Sequence, residues 1–317
     1  MRIRPSAIPL LLACCFFAAA QPARKSWAPS RTANGQPDLQ GYWTNATLTP
    51  LERPAQFAGK AVLTEAEAAA YAKQLLEGSN RDRRGESAEA DVGGAYNQFW
   101  YDRGNGIVGS HRTSLIIDPA DGLIPPLTPE AQKRVSESRA YTAAHPADGP
   151  ESRSLAERCI LWGTAGPPMM PGPYNNAYQI VQTPGYVMIL VEMIHDARII
   201  PLDGSSHLPA SVRQWMGDPR GHFEGNTLVV DSTGFSGKAP FHGSDQNLHL
   251  IEKFTPVSAD TLLYEFTVDD PTAFTKKWTG QIPFTRNEGP IFEYACNEGN
   301  YAMTDMLAGA RKAESQK

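Results

Sequence analysis

Cysteine is scarce in this sequence: there are 4 in 317 residues, and Cys14 and Cys15 fall within the first twenty. No CxxC pair, HExxH run or HxH run occurs, and the histidine spacings set no two imidazoles on adjacent helical turns. The local signatures of zinc sites are therefore missing, and no metal is expected. Positive charge is also in short supply, with Lys+Arg 29 against Asp+Glu 34 and a net charge of −5. That balance argues against capture of nucleic acid through its phosphates. Beyond residue 20 no apolar run is long enough to cross a bilayer. A P-loop and a GxSxG nucleophile elbow are likewise absent. Gly104-Asn-Gly106-Ile-Val-Gly109 matches the dinucleotide pattern by letter, but a strand-like TSLIID follows it where a helix is required. No nucleotide or other cofactor is expected.

What is present is ordinary for a packed domain: 41% hydrophobic and 20% charged residues, which excludes wholesale disorder. Arg2 and Arg4 precede an apolar run from Ala7 to Ala20 that ends in three alanines before Gln21. This reads as a secretory leader over 1–20 with a small-x-small cleavage site. The alternatives are a membrane anchor and a lipid attached at Cys14 in Leu11-Leu12-Ala13-Cys14. Cleavage after Ala20 changes the net charge from −5 to about −7 and leaves Cys159 and Cys296 as the remaining cysteines. In an oxidising compartment a disulfide between them is favoured over a catalytic thiol. The expectation is a periplasmic or secreted protein with no membrane attachment after cleavage.

Residues 21–60 read as an extended arm. Thr64 and Glu67 form a capping box for an Ala-rich helix that stops at Gly78. A strand is expected over Thr113–Asp118, then a helix opened by Thr128 and Pro129 and ending near Tyr141. Residues 21–176 thus form an N-terminal extended and helical layer, and 301–317 a C-terminal helix or tail. Between them, over 177–300, short β-rich runs recur: Tyr178–Gln182, Tyr186–Ile194, Arg198–Leu202, Thr227–Phe235, Leu248–Thr255, Thr261–Asp269, Thr279–Thr285 and Pro290–Cys296. Strands this closely spaced, with no helices between, indicate an antiparallel meander. The fold class is mainly β, a lipocalin-like barrel in preference to an open sandwich, because closure removes exposed edges.

Several strands carry a carboxylate among apolar neighbours: Glu192, Asp231, Glu252, Glu265 and Glu293. Any that faces inward needs a partner, since an unpaired buried charge is prohibitively unfavourable. Arg198, Arg220, His195, His222 and His249 are the available ones. His222 and Glu224 project from one face of an extended segment, an arrangement suited to proton transfer. Arg198 offers a fork of donors for an anionic group or oxyanion. The candidate catalytic set is His195, Arg198, His222, Glu224 and Asp231. His207, Tyr174, Tyr178 and Trp215 are candidates for substrate contact. Trp100, Tyr101, Trp162, Met169, Met170 and Phe223 either line the same apolar pocket or serve as core.

Five stretches carry a resemblance: Pro37–Trp43 (PDLQGYW), Arg112–Pro126 (RTSLIIDPADGLIPP), His195–Gly204 (HDARIIPLDG) with His207, Trp215–Asp231 (WMGDPRGHFEGNTLVVD) and Glu293–Tyr301 (EYACNEGNY). On these the chain resembles a large, mostly uncharacterised family of exported bacterial proteins from soil and marine organisms. The resemblance implies export and brings no activity with it. Asn226 stands where members carry Asp, and Asn297 where they carry His, so Asn297 is left out of the site. The expected function is an exported enzyme performing acid–base chemistry (lyase, isomerase or hydrolase) on a small organic molecule in a barrel pocket. The alternatives are a non-catalytic periplasmic binding protein of lipocalin type and a structural domain whose polar cluster only ties loops together.

Overall fold

The computed structural model describes residues 27–83, 86–94 and 97–316. The expected leader, with Arg2, Arg4 and Cys14, lies outside these residues. In chain order the elements are β1 (Gly41–Thr44), α1 (Glu65–Gly78), α2 (Ala88–Gly94), β2 (Ile116–Asp118), α3 (Pro129–Ala144), β3 (Ala177–Gln182), β4 (Tyr186–Val191) and β5 (Ala197–Pro201). They continue with β6 (Asp218–Glu224), β7 (Thr227–Thr233), β8 (His249–Ser258), β9 (Thr261–Asp269), β10 (Trp278–Arg286) and α4 (Tyr301–Glu314). Among the described residues no helix is long and apolar enough to cross a membrane.

The strands form one antiparallel sheet in the order β5-β4-β3-β1-β10-β9-β8-β7-β6, which curls into a nearly closed barrel. The free edges, β5 and β6, lie side by side without a hydrogen-bonded ladder. Gly221 in β6 explains how close they come. A Cβ there would stand 2.7 Å from Ile200 Cγ2 and 2.9 Å from Leu202 Cδ2, so apolar side chains from the β5 side lie directly on the β6 backbone.

Both expected helix starts are present. Thr64 accepts from Glu67 N while the Glu67 side chain accepts from Thr64 N, and Thr128 accepts from Ala131 N ahead of Pro129. Three strand assignments differ from the expectation. Part of the arm becomes β1, which pairs with β3 on one side and β10 on the other. Asp218–Glu224, whose Pro, Gly and charges mask its alternation, is β6. Pro290–Cys296 joins no ladder; it is held by Phe292 N donating to Glu192 Oε1 (3.1 Å) and by the disulfide. β4 also stops at Val191, because Ile194 (φ 61) and His195 (φ 45) are left-handed and turn the chain.

Alternation places the even-numbered residues of β8, β9 and β10 inward, where Phe254, Tyr264, Phe266, Trp278, Ile282 and Phe284 are fully buried. Rings stack through the hollow: Tyr178 on Phe284 (5.1 Å between centroids), Tyr264 on Phe284 (5.2 Å) and Phe266 edge-on to Trp278 (5.7 Å). Each such side chain contributes roughly 1.5–3 kcal/mol of burial, and together they fill the middle of the barrel. Clefts open at the seam and at the barrel end.

Candidate functional site

Arg198 and Glu252 face each other inside the barrel, their side chains 1% and 0% exposed. Arg198 NH1 donates to Glu252 Oε1 at 3.0 Å and NH2 to Oε2, a bidentate pair. The Tyr264 hydroxyl donates to Glu252 Oε1 (2.9 Å) and accepts from Met169 N (3.1 Å). Burial works against the charge on Arg198, but Glu252 outweighs it and keeps the guanidinium protonated. Burial also pushes the Tyr264 and Tyr178 hydroxyls up. The third nitrogen of the guanidinium, Arg198 Nε, is buried and has no hydrogen-bond partner.

A second constellation lies on the outer face. The register sets Arg220 opposite Asp231 and Asp231 opposite Ile251, so Arg220, Asp231 and, two residues before Ile251, His249 share the exterior of β6, β7 and β8. The segment after β5 folds over them and brings in His207. Its Nδ1 meets Asp218 Oδ2 (3.1 Å) and its Nε2 meets Asp231 Oδ1 (3.0 Å). His249 Nε2 meets the other oxygen of Asp231 at 3.0 Å. Arg220 bonds Asp218 Oδ1 (2.6 Å) and the Ser206 carbonyl (3.0 Å), and Leu208 N donates to Asp218 Oδ2 (2.8 Å). Desolvation raises the Asp218 carboxyl, but the bonds from Leu208, Arg220 and His207 outweigh it and hold the group below the ordinary carboxylate range. This relay pins residues 206–208 to the barrel wall.

The five expected catalytic residues are thus distributed over four places, and the residues expected to contact substrate are scattered as well. Arg198 is inside. Asp231 and His207 belong to the outer relay, with Asp218, Arg220 and His249. His222 and Glu224 form an exposed pair on β6 (3.0 Å, side chains 58% and 64% exposed) apart from any described cleft. His195 is exposed, its Nδ1 3.1 Å from the Tyr294 carbonyl. Tyr178 is core, and Tyr174 packs against Tyr101 and Trp162. Trp215 is a shared wall of two clefts. The structure does not bring His195, Arg198, His222 and Glu224 to one spot. Alternation points Arg198 inward and His222 with Glu224 outward. Of the five strand carboxylates, Glu252 meets its cation inside the barrel, Glu192 caps the Ala177 and Phe292 amides, and Glu265 accepts from Gln281 on the exterior.

The first of those clefts, of about 410 Å³, opens at the seam where β5 and β6 fail to join. Asp196, Arg198, Arg213, Trp215 and Met216 line it. Asp196 is half-buried, and its Oδ2 is shielded from water without a hydrogen bond. Burial raises its carboxyl above the ordinary range, partly offset by the charge of neighbouring His195. No family model, curated protein or solved structure matches this chain. Sequence reasoning misses Asp196, although it lies between His195 and Arg198; its environment is made by the seam, which pairing alone creates. Among the described residues no group of three or more His, Cys, Asp or Glu is placed to hold a metal ion.

Proposed function

We propose that this protein is an exported enzyme performing acid–base chemistry of the lyase, isomerase or hydrolase type on a small organic molecule at the seam cleft. The observation that carries the reading is Asp196: a carboxyl with a free oxygen, held above its ordinary range by burial, at an opening of small-molecule size. Asp196 donates the proton in its neutral form, as raised carboxyls do in general acid catalysis. Arg198, the one expected catalytic residue that lines this cleft, holds a substrate oxygen through its unpartnered Nε–H. His195 adjoins Asp196 and tunes its charge. Export is supported by the leader-like first twenty residues and by the Cys159–Cys296 disulfide.

The test is a panel of small esters, lactones and hydroxy acids, assayed by mass spectrometry from acidic to neutral pH. Turnover is expected to fall as pH rises through the raised Asp196 titration, because the acid form is lost. Asp196→Asn should remove at least about a hundredfold of the rate while leaving the far-UV circular dichroism unchanged. Turnover that survives Asp196→Asn at full rate would sink the assignment.

A further inference from the structure

A larger cleft of about 640 Å³ opens at the end of the barrel, beside the seam cleft and sharing Trp215 with it. Its size falls within the range of small-molecule sites, roughly 300–1,000 Å³. Trp162, Trp215, Phe235, Phe241 and Leu248 give it apolar walls. Four charged residues stand at its rim, Glu151, Arg153, Arg158 and Lys238. Arg153 is tied through its terminal nitrogens to Glu157 and the Pro146 carbonyl, yet its Nε is buried with no partner. Neither Arg158 nor Lys238 makes an ion pair or side-chain hydrogen bond with any described residue. Cations therefore outnumber Glu151 at this one apolar opening, on a chain whose net charge is −5.

We infer that the cleft at the barrel end binds an amphipathic organic anion, an aromatic or medium-chain carboxylate or sulfonate. Its apolar body lies against Trp162, Trp215 and Phe235, and its acid group lies on Arg153 and Arg158. Three features favour this class. The apolar walls reward removal of hydrocarbon surface from water. The unsatisfied Arg153 Nε calls for an acceptor, because a buried donor without one carries a desolvation penalty. Arg158 and Lys238 add charge that a neutral ligand leaves unused. The inference goes beyond the proposed acid–base step and does not depend on turnover at Asp196.

Isothermal titration calorimetry of the mature, disulfide-bonded chain with 2-naphthoate and with the neutral 2-naphthalenemethanol tests it. Naphthoate is expected to bind saturably, at least about tenfold more tightly than the alcohol. Arg158→Gln should weaken naphthoate by about tenfold and leave the alcohol unchanged, since the Arg158 side chain makes no ion pair or hydrogen bond with a described residue. Lys238→Gln, at an exposed position, should act in the same direction and guards against misfolding of the first variant. Asp196→Asn should leave naphthoate affinity intact, whatever it does to turnover. Equal affinity for acid and alcohol, no saturable naphthoate binding, or indifference to both cation variants overturns the inference. Loss of naphthoate binding in Asp196→Asn alone also overturns it, by placing the ligand in the seam cleft.

Discussion

Replacing Arg198 by Ala strands the Glu252 carboxylate inside the barrel, with only the Tyr264 hydroxyl left to donate to it. An uncompensated buried charge of this kind is destabilising by about 3–5 kcal/mol, so urea unfolding of Arg198→Ala should show a large loss. The double replacement Arg198→Met with Glu252→Leu removes both charges and should lose much less, which the same measurement resolves. Asp218 behaves differently because it sits in the outer relay. Its carboxyl lies below the ordinary range when folded, so it contributes stability above its unfolded titration. That contribution disappears as pH falls through the folded value. Asp218→Asn should therefore be less stable than the parent at neutral pH. The gap should close on acidification, as followed by thermal melts across the acid range.

At the level of elements, β10 carries the greatest constraint because three strands depend on it. It pairs with β9 along its whole length, with β1 at Thr285 and Arg286, and with β2 around Thr279 and Gly280. Gly280 admits the Phe266 ring, which a Cβ would meet within 2.6 Å at Cε1. Phe266 is fully buried and cannot swing into solvent. Gly280→Ala should therefore be destabilising by about 1–3 kcal/mol through overpacking, read as a lower urea midpoint at unchanged slope. Helices α1 and α3 were legible because their signals are local: a capping side chain, a Pro in the first turn and a stopping Gly act within a few residues; α2 falls in a charged, Gly-rich stretch that reads as a surface loop. Strand β6 was not, because Pro219, Gly221 and the paired charges of Asp218 and Arg220 obscure alternation. What makes it a strand is the long neighbouring ladder of β7. Pro290–Cys296 has the composition of a strand but joins no ladder: β10, the strand it follows, is occupied on both sides, and Phe292 N is taken by the Glu192 side chain.

For the molecule as a whole, the Cys159–Cys296 bridge joins the segment between α3 and β3 to the chain leaving the barrel, with a Cα–Cα separation of 5.7 Å across 137 positions. Constraining so long a loop in the unfolded chain is worth roughly 4–5 kcal/mol in the chain-entropy account. Cys159→Ser with Cys296→Ser should lower the melting temperature by several degrees or more. If calorimetry instead finds the double variant unshifted, the bridge contributes nothing to the fold. The barrel itself closes by packing at the seam, where one cleft opens, and the barrel-end cleft shares the Trp215 wall with it. Asp196, the proposed acid, therefore sits where the sheet is incomplete, while the middle of the barrel is occupied by aromatic rings.

Composition and local pattern in this chain determined the mainly β class, the two helix starts, the cysteine pair and the need of some strand carboxylate for a cation. All of these follow from residues close together in sequence, or from counting. Tertiary structure decided which way each polar side chain points, since a strand's two faces acquire meaning only when its neighbours and register are set. It put Arg198 against Glu252 inside, spread His222 and Glu224 into solvent, gathered His207, Asp231 and His249 on the outer wall, and gave Asp196 its buried surroundings at the gap between β5 and β6.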